Sequence, residues 1–271
     1  MKLMVNGYEA HVATGGKKFE KNLPTVLFLH GSGLDHRSWA LQTRWFAYNG
    51  FGVLAPDFPG HSLSKGAPCV TIEDSGKWLA DFLDAMGVRE AHVVGHSQGF
   101  LSALELSKLR PTALKSLIGV GTAAAIPVNP MLIETAGRSP MKAADLMLQW
   151  GFGHQTQMGV SATPGMQPIA IGRQIMGNNP LAIDLQCCAD YWGGVDAVGL
   201  VTAPSAMILA GQDKMTPIKA GLAIADQLQA KLVVLKDYGH MLPIEAPKQV
   251  LVALREFILR VEKEIGASSS R

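Results

Sequence analysis

From residue 25 to residue 121, short apolar runs alternate with amphipathic stretches, and this alternation constrains the fold more than any other feature of the chain. The run TVLFLH at 25–30 is almost continuously apolar, so it reads as a strand buried on both sides. A helical stretch follows at 38–48 and closes at Asn49-Gly50. The pattern repeats as strand 51–56, helix 71–86, strand 91–95, helix 100–110 and strand 114–121. In the helix at 71–86, Ile72, Trp78, Leu79, Phe82 and Leu83 form one apolar stripe, and Gly87 stops it. Strands separated by helices cannot pair as hairpins. They need crossovers, which means a parallel sheet covered on both faces. Ahead of it, 3–6 and 8–14 read as a strand pair joined at Asn6-Gly7.

Between residues 126 and 202 the rhythm breaks. This stretch holds Pro127, Pro130, Pro140, Pro164, Pro168 and Pro180, with helical patches at 141–150 and 181–192. The alternation then resumes with strand 205–210, helix 217–228, strand 231–235 and helix 243–263, ahead of a tail at 266–271 expected to fray. The expected organisation is a core formed by 1–125 and 203–271, interrupted by a helical insertion at 126–202.

Composition bounds the chemistry. A chain of 271 residues, 48% hydrophobic with a net charge of +2, buries a large core and is not disordered. Its 24 basic and 22 acidic residues are spread without runs, so no nucleic-acid or membrane-surface patch is expected. The longest nearly apolar stretch, 117–128, is too short to span a bilayer, and residues 1–16 lack a signal-peptide core. Cys69, Cys187 and Cys188 are odd in number and two are adjacent, so free thiols in a reducing compartment are expected rather than a disulfide framework. The expected setting is cytoplasmic, with a homodimer left open.

Gly95-His96-Ser97-Gln98-Gly99 lies between a buried strand and an apolar helix. That is a G-x-S-x-G nucleophile elbow, in which a strained turn lifts a serine hydroxyl above the sheet and small residues let strand and helix approach. The competing reading makes Ser97 an ordinary helix N-cap. A serine hydroxyl needs a base, and the base needs an orienting acid. With this elbow they follow in the order serine, acid, histidine. Of the eight histidines, only His240 follows the last predicted strand. Asp213, in Gly211-Gln212-Asp213 directly after the strand 205–210, is the expected acid, with Asp237 as a rival three residues from His240. Glu245 reads as a carboxylate in the first turn of the last helix. For the negative charge that develops in acyl transfer, the expected backbone donors are Gln98, after the nucleophile, and Ser32 of His30-Gly31-Ser32-Gly33, with Gly33 second. His30 and Asp57 are expected to hold loop backbone. No metal or cofactor is expected, because no group of histidines, cysteines and acids has ligand spacing.

HGSG, DFPGHS, GHSQG, GQD and YGH, in that order and on those elements, resemble the α/β-hydrolase superfamily, and most of all its smaller capped serine esterases. The resemblance covers the chain outside the insertion. It implies an eight-stranded, mostly parallel sheet with helices on both faces, a helical cap inserted after strand 6, and catalytic Ser97, Asp213 and His240. One departure is Ser62, where the turn more often has glycine; Ser64 fills the later serine place. The insertion is rich in methionine and aromatic residues, which suits an adaptable apolar pocket. Leu34, Met147, Trp150 and Trp192 are expected to line it. The expected reaction is hydrolysis of a small-molecule carboxylic ester with an apolar acyl or aryl group. Lactone, thioester or carbon–carbon bond hydrolysis, a cofactor-free oxygenase or perhydrolase, and a ligand receptor on the same fold are the alternatives.

Overall fold

The computed structural model describes residues 1–161 and 164–269. Strands β1 (Lys2–Val5) and β2 (Tyr8–Ala13) form the expected hairpin, with Asn6 and Gly7 both at positive φ. Then come β3 (Thr25–Leu29), α1 (Ala40–Tyr48), β4 (Gly52–Pro56), α2 (Ile72–Met86), β5 (Ala91–His96), α3 (Gln98–Leu109) and β6 (Leu114–Val120). A 3-10 turn at His36–Trp39 leads into α1. After β6 come, among the described residues, six helices: α4 (Pro130–Arg138), α5 (Pro140–Gly151), α6 (His154–Gln157), α7 (Pro168–Met176), α8 (Leu181–Asp190) and α9 (Gly194–Val198). The chain closes with β7 (Ser205–Ala210), α10 (Ile218–Gln227), β8 (Lys231–Leu235), α11 (Leu242–Glu245) and α12 (Pro247–Ser269).

The eight strands lie in the order β1-β2-β4-β3-β5-β6-β7-β8, antiparallel at β1, β2 and β4 and parallel from β4 to β8. The strand period of two sorts side chains between the faces. Leu27, Leu29, Val93, Leu117 and Leu209 pack under α2, α3 and α10, where Leu79, Phe82, Phe100, Leu104 and Ile224 are buried. Val26, Phe28, Val94, Ile118 and Ile208 face the other way, against Phe46 of α1 and Val250, Leu254 and Ile258 of α12. Helices α4, α5, α7 and α8 form a third core with Leu34, Met241 and Ile244, residues that follow β3 and β8. The insertion therefore sits over the carboxyl edge of the sheet.

The insertion is helical as expected, and Pro130, Pro140 and Pro168 open three of its helices, where a missing N–H costs nothing. The last helix, expected unbroken over 243–263, divides at Ala246 into α11 and α12, with Pro247 starting the second piece. The tail expected to fray at 266 continues α12 to Ser269; Ser270 and Arg271 lie outside the described residues. No helix among the described residues is long and apolar enough to cross a membrane.

Candidate active site

Strand β5 delivers Ser97 to the carboxyl edge at φ 52° and ψ −121°, a strained backbone for a residue with a side chain. Ser97 occupies the N-cap position of α3, yet its side chain makes no capping hydrogen bond. Instead it lines a cavity of about 410 Å³ between the sheet edge and the insertion. The elbow is held from below: the Ser97 amide donates to the Val120 carbonyl at 3.1 Å, and Thr122 Oγ1 donates to the Ser97 carbonyl at 3.0 Å. Close approach requires glycine behind the turn. A Cβ on Gly99 would lie 2.6 Å from the carbonyl oxygens of both Leu29 and His30, and neither backbone can retreat. Gly99→Ala is expected to cost about 3 kcal/mol in urea unfolding, from overpacking at a backbone contact. A loss below about 1 kcal/mol would contradict this packing.

His240 lines the same cavity, from the loop after β8. Its Nδ1 donates to Asp213 Oδ2 at 2.8 Å, with both side chains 2% exposed. The other oxygen of Asp213 accepts the amides of Met215 at 2.9 Å and Thr216 at 2.7 Å, so the carboxylate is fixed at both ends. Asp237, the sequence rival, is exposed. His96, next to the serine, is buried, and burial pushes its imidazole down to about 3. It stays neutral and donates from Nε2 to the His240 carbonyl at 2.9 Å, bracing that loop. His30 is likewise driven down, to about 4, chiefly by burial; its Nε2 accepts the Phe58 amide at 3.1 Å.

Ser32 lines the cavity beside Ser97, and Gln98 opens α3, where the first amides of a helix lack internal partners. The Gly33 amide is engaged elsewhere, donating to Asp184 Oδ2 at 2.7 Å. Leu34, Met147 and Trp150 line the cavity, together with Leu132, Met241 and Lys214. Trp192 does not: it is 67% exposed, because the chain leaving α8 turns Tyr191 inward onto Glu105 and leaves its neighbour facing solvent.

Three further residues have roles that differ from the sequence reading or were absent from it. Glu245 is the expected first-turn carboxylate, in α11, but it is buried there. Burial pushes its carboxyl above the usual range even though the amides of Gly153 and Gly239 donate to it, each at 2.7 Å. It ties the insertion to the His240 loop. Asp184, on α8, is buried among Leu181, Leu185 and Cys188; an acid on an apolar helical stripe was the available signal. Ser62 keeps the left-handed backbone of the turn, at φ 46°, without glycine, while Ser64 Oγ donates to the Asp57 carbonyl at 2.7 Å.

Outside the cavity, His11, His36 and Asp57 bring one ligand atom each within 4.8 Å of one another. They come from β2, the turn before α1 and the loop after β4, so no sequence spacing announces them. His36 Nδ1 donates directly to Asp57 Oδ1 at 2.7 Å, and the His36 amide donates to the same oxygen at 2.9 Å. His11 meets this pair through its ring, whose centroid lies 4.7 Å from that of His36.

Comparison with known proteins bears on this arrangement. A family model described as "Alpha/beta hydrolase family" matches residues 26–254. The 2-hydroxy-6-oxononadienedioate/2-hydroxy-6-oxononatrienedioate hydrolase 1 of Dechloromonas aromatica is 28% identical over 234 residues, covering 80% of each chain. Among solved structures, a thermophilic esterase from Thermogutta terrifontis superposes with a TM-score of 0.82 at 24% identity, over 96% of this chain and 98% of that one. The enol-lactonase from Burkholderia xenovorans LB400 superposes at 0.84 and 23% identity, over 96% and 100%. At these identities the two structures speak for the fold alone. The chain spans only 28% to 56% of the lengths of the first curated relatives it matches.

Proposed function

The chain belongs to the alpha/beta hydrolase family, and from that premise we propose that it is a serine hydrolase cleaving a carboxylic ester with a small to medium apolar acyl or aryl group. The observation that carries this reading is the Ser97 side chain, free of any capping bond, in a cavity that His240 also lines while bound to Asp213. Asp213 holds the proton of His240 on Nδ1, which leaves Nε2 as the base. His240 removes the Ser97 proton as the hydroxyl oxygen attacks the ester carbonyl. The Ser32 and Gln98 amides accommodate the oxyanion, a contribution of about 3 kcal/mol per donor in such sites. His240 then passes the proton to the departing alcohol. Water, deprotonated by the same imidazole, attacks the acyl-enzyme, and the acid leaves as Ser97 regains its proton.

On this reading 1–125 and 203–271 form the catalytic core and 126–202 the cap, and the three free thiols suit a reducing, cytoplasmic setting. The lining is mostly apolar, with Lys214 as its cation, and we read it as favouring apolar esters over the dianionic substrate that the Dechloromonas relative's name describes. A fluorophosphonate probe is expected to label the wild type and not Ser97→Ala. Across p-nitrophenyl esters from acetyl to decanoyl, kcat/KM is expected to peak at a short or medium chain. Equal turnover of all lengths would remove the pocket's role. Faster turnover of an enol-lactone or a vinylogous diketone would move the assignment to lactone or carbon–carbon hydrolysis. Tight ligand binding without turnover of any of them would identify a receptor.

A further inference from the structure

The geometry points to Asp184 as a positioning residue: from the insertion, it holds the Ser32–Gly33 peptide, which adjoins the peptide carrying the oxyanion donor of Ser32. This inference rests on the serine-hydrolase reading above.

Asp184 projects from α8 into the joint between the insertion and the sheet edge. Its Oδ2 accepts the Gly33 amide at 2.7 Å and faces His61 Nε2 at 2.9 Å, and its Oδ1 lies 3.5 Å from Gln98 Nε2. Both residues assigned as oxyanion donors therefore have this carboxylate against them, one through the adjoining peptide and one through its own side chain. A second residue of the insertion completes the grip. Asn179 Nδ2 donates to the Gly33 carbonyl at 3.0 Å, so the insertion holds Gly33 by both its N–H and its C=O. One turn after Asp184, Cys188 Sγ lies 3.5 Å from Ser32 Oγ. Gly33 itself is at φ 68°, a backbone conformation that loop chemistry alone would not single out among glycine's many options.

The His61 contact makes the carboxylate a durable anchor. His61 Nδ1 faces the Pro59 carbonyl at 3.0 Å and Nε2 faces Asp184, so acceptors lie at both ring nitrogens and the ring is satisfied only as an imidazolium. Burial alone would push His61 down, but Asp184 outweighs it and holds the ring above its ordinary value. Asp184 is likewise opposed by burial and kept below the usual carboxylate range by His61 and the Gly33 amide. The pair is a buried charge contact between insertion and core, 123 residues apart in sequence. Its consequence is that the oxyanion donor is assembled by docking of the insertion rather than by the core alone.

Asp184→Ala is expected to lower kcat for p-nitrophenyl butyrate about 100-fold, the order seen when one oxyanion donor is lost, with KM within about threefold. Affinity for an alkyl trifluoromethyl ketone, which forms a tetrahedral adduct, should fall by the same factor. Affinity for the planar methyl ketone of the same chain length should hold. A residue that merely stabilises the fold would lower the melting temperature and the active fraction while leaving the ratio of the two ketone affinities unchanged. That unchanged ratio in a folded Asp184→Ala protein overturns the inference. If Asp184→Ala does not fold, Asp184→Asn carries the test: the amide keeps an acceptor for Gly33 but loses the charge opposite His61. A roughly tenfold fall in the ketone ratio then supports the inference, and no change overturns it. Undiminished turnover by Ser97→Ala would instead overturn the serine-hydrolase reading, whatever Asp184 does.

Discussion

Ser97→Ala is expected to lower kcat/KM for aryl esters by about 10⁶-fold while leaving the fold and ligand affinity intact. The size follows from the division of labour. Removing the hydroxyl removes the covalent route altogether, so what remains is water attacking a bound ester near the two amides. The fold should survive, because the strain at φ 52° comes from the Gly95–Gly99 turn, and the Val120 carbonyl and Thr122 hydroxyl hold it through the backbone N–H and C=O of Ser97. Alanine tolerates that backbone no worse than serine. The measurement is a pre-steady-state and steady-state comparison with the same p-nitrophenyl ester, alongside circular dichroism. A residual rate within 100-fold of wild type would remove Ser97 as nucleophile. A loss of folded protein would mean the hydroxyl holds structure in a way its lack of a capping bond does not suggest.

Asp213→Asn is expected to lower kcat about 10⁴-fold, and Asp237→Asn to leave it within about twofold. The contrast is geometric. Asp213 Oδ2 accepts from His240 Nδ1, and Oδ1 is pinned by two amides that dictate which atom of an asparagine would face them. Those amides need an acceptor, so the asparagine oxygen stays with Met215 and Thr216 and its NH₂ turns to His240. The imidazole must then present an unprotonated Nδ1 and carry its proton on Nε2, where a base is needed. Asp237, exposed three residues before His240, cannot substitute. Kinetics of the two variants measured side by side decide the matter: equal losses, or a larger loss at Asp237, would reassign the acid.

Much of this arrangement is legible in the chain because it is local. The period-two and period-3.6 patterns that mark strands and helices are set by how a short segment meets one environment on each side, and every strand of the sheet follows from them within a residue or two. The elbow is legible for the same reason: strand, glycine, serine, glycine and helix are contiguous, and the strain they store belongs to that segment. His240 and Asp213 follow from position, each in a loop after a strand, and a parallel sheet sends all such loops to one edge. Pro130, Pro140 and Pro168 open helices that the pattern alone did not delimit, since proline in the first turn and proline in the interior look alike until the turn is placed.

The sequence by itself determined the sheet, the crossovers, the elbow and the order of the groups at its edge. Only the tertiary structure decided what the insertion does to them. Trp192 and Met147 are both apolar residues of the insertion, yet Trp192, in the segment after α8, faces solvent while Met147, on α5, faces the cavity, a choice made by how the insertion packs on the core. Glu245 and Asp184 are buried because docking of the insertion on the core sets amides against both and His61 against Asp184, and no spacing encodes partners as distant as Gly33 and Asp184, 151 residues apart. Such contacts depend on the relative placement of two packed bodies, a quantity set by the whole interface between them rather than by any segment of the chain.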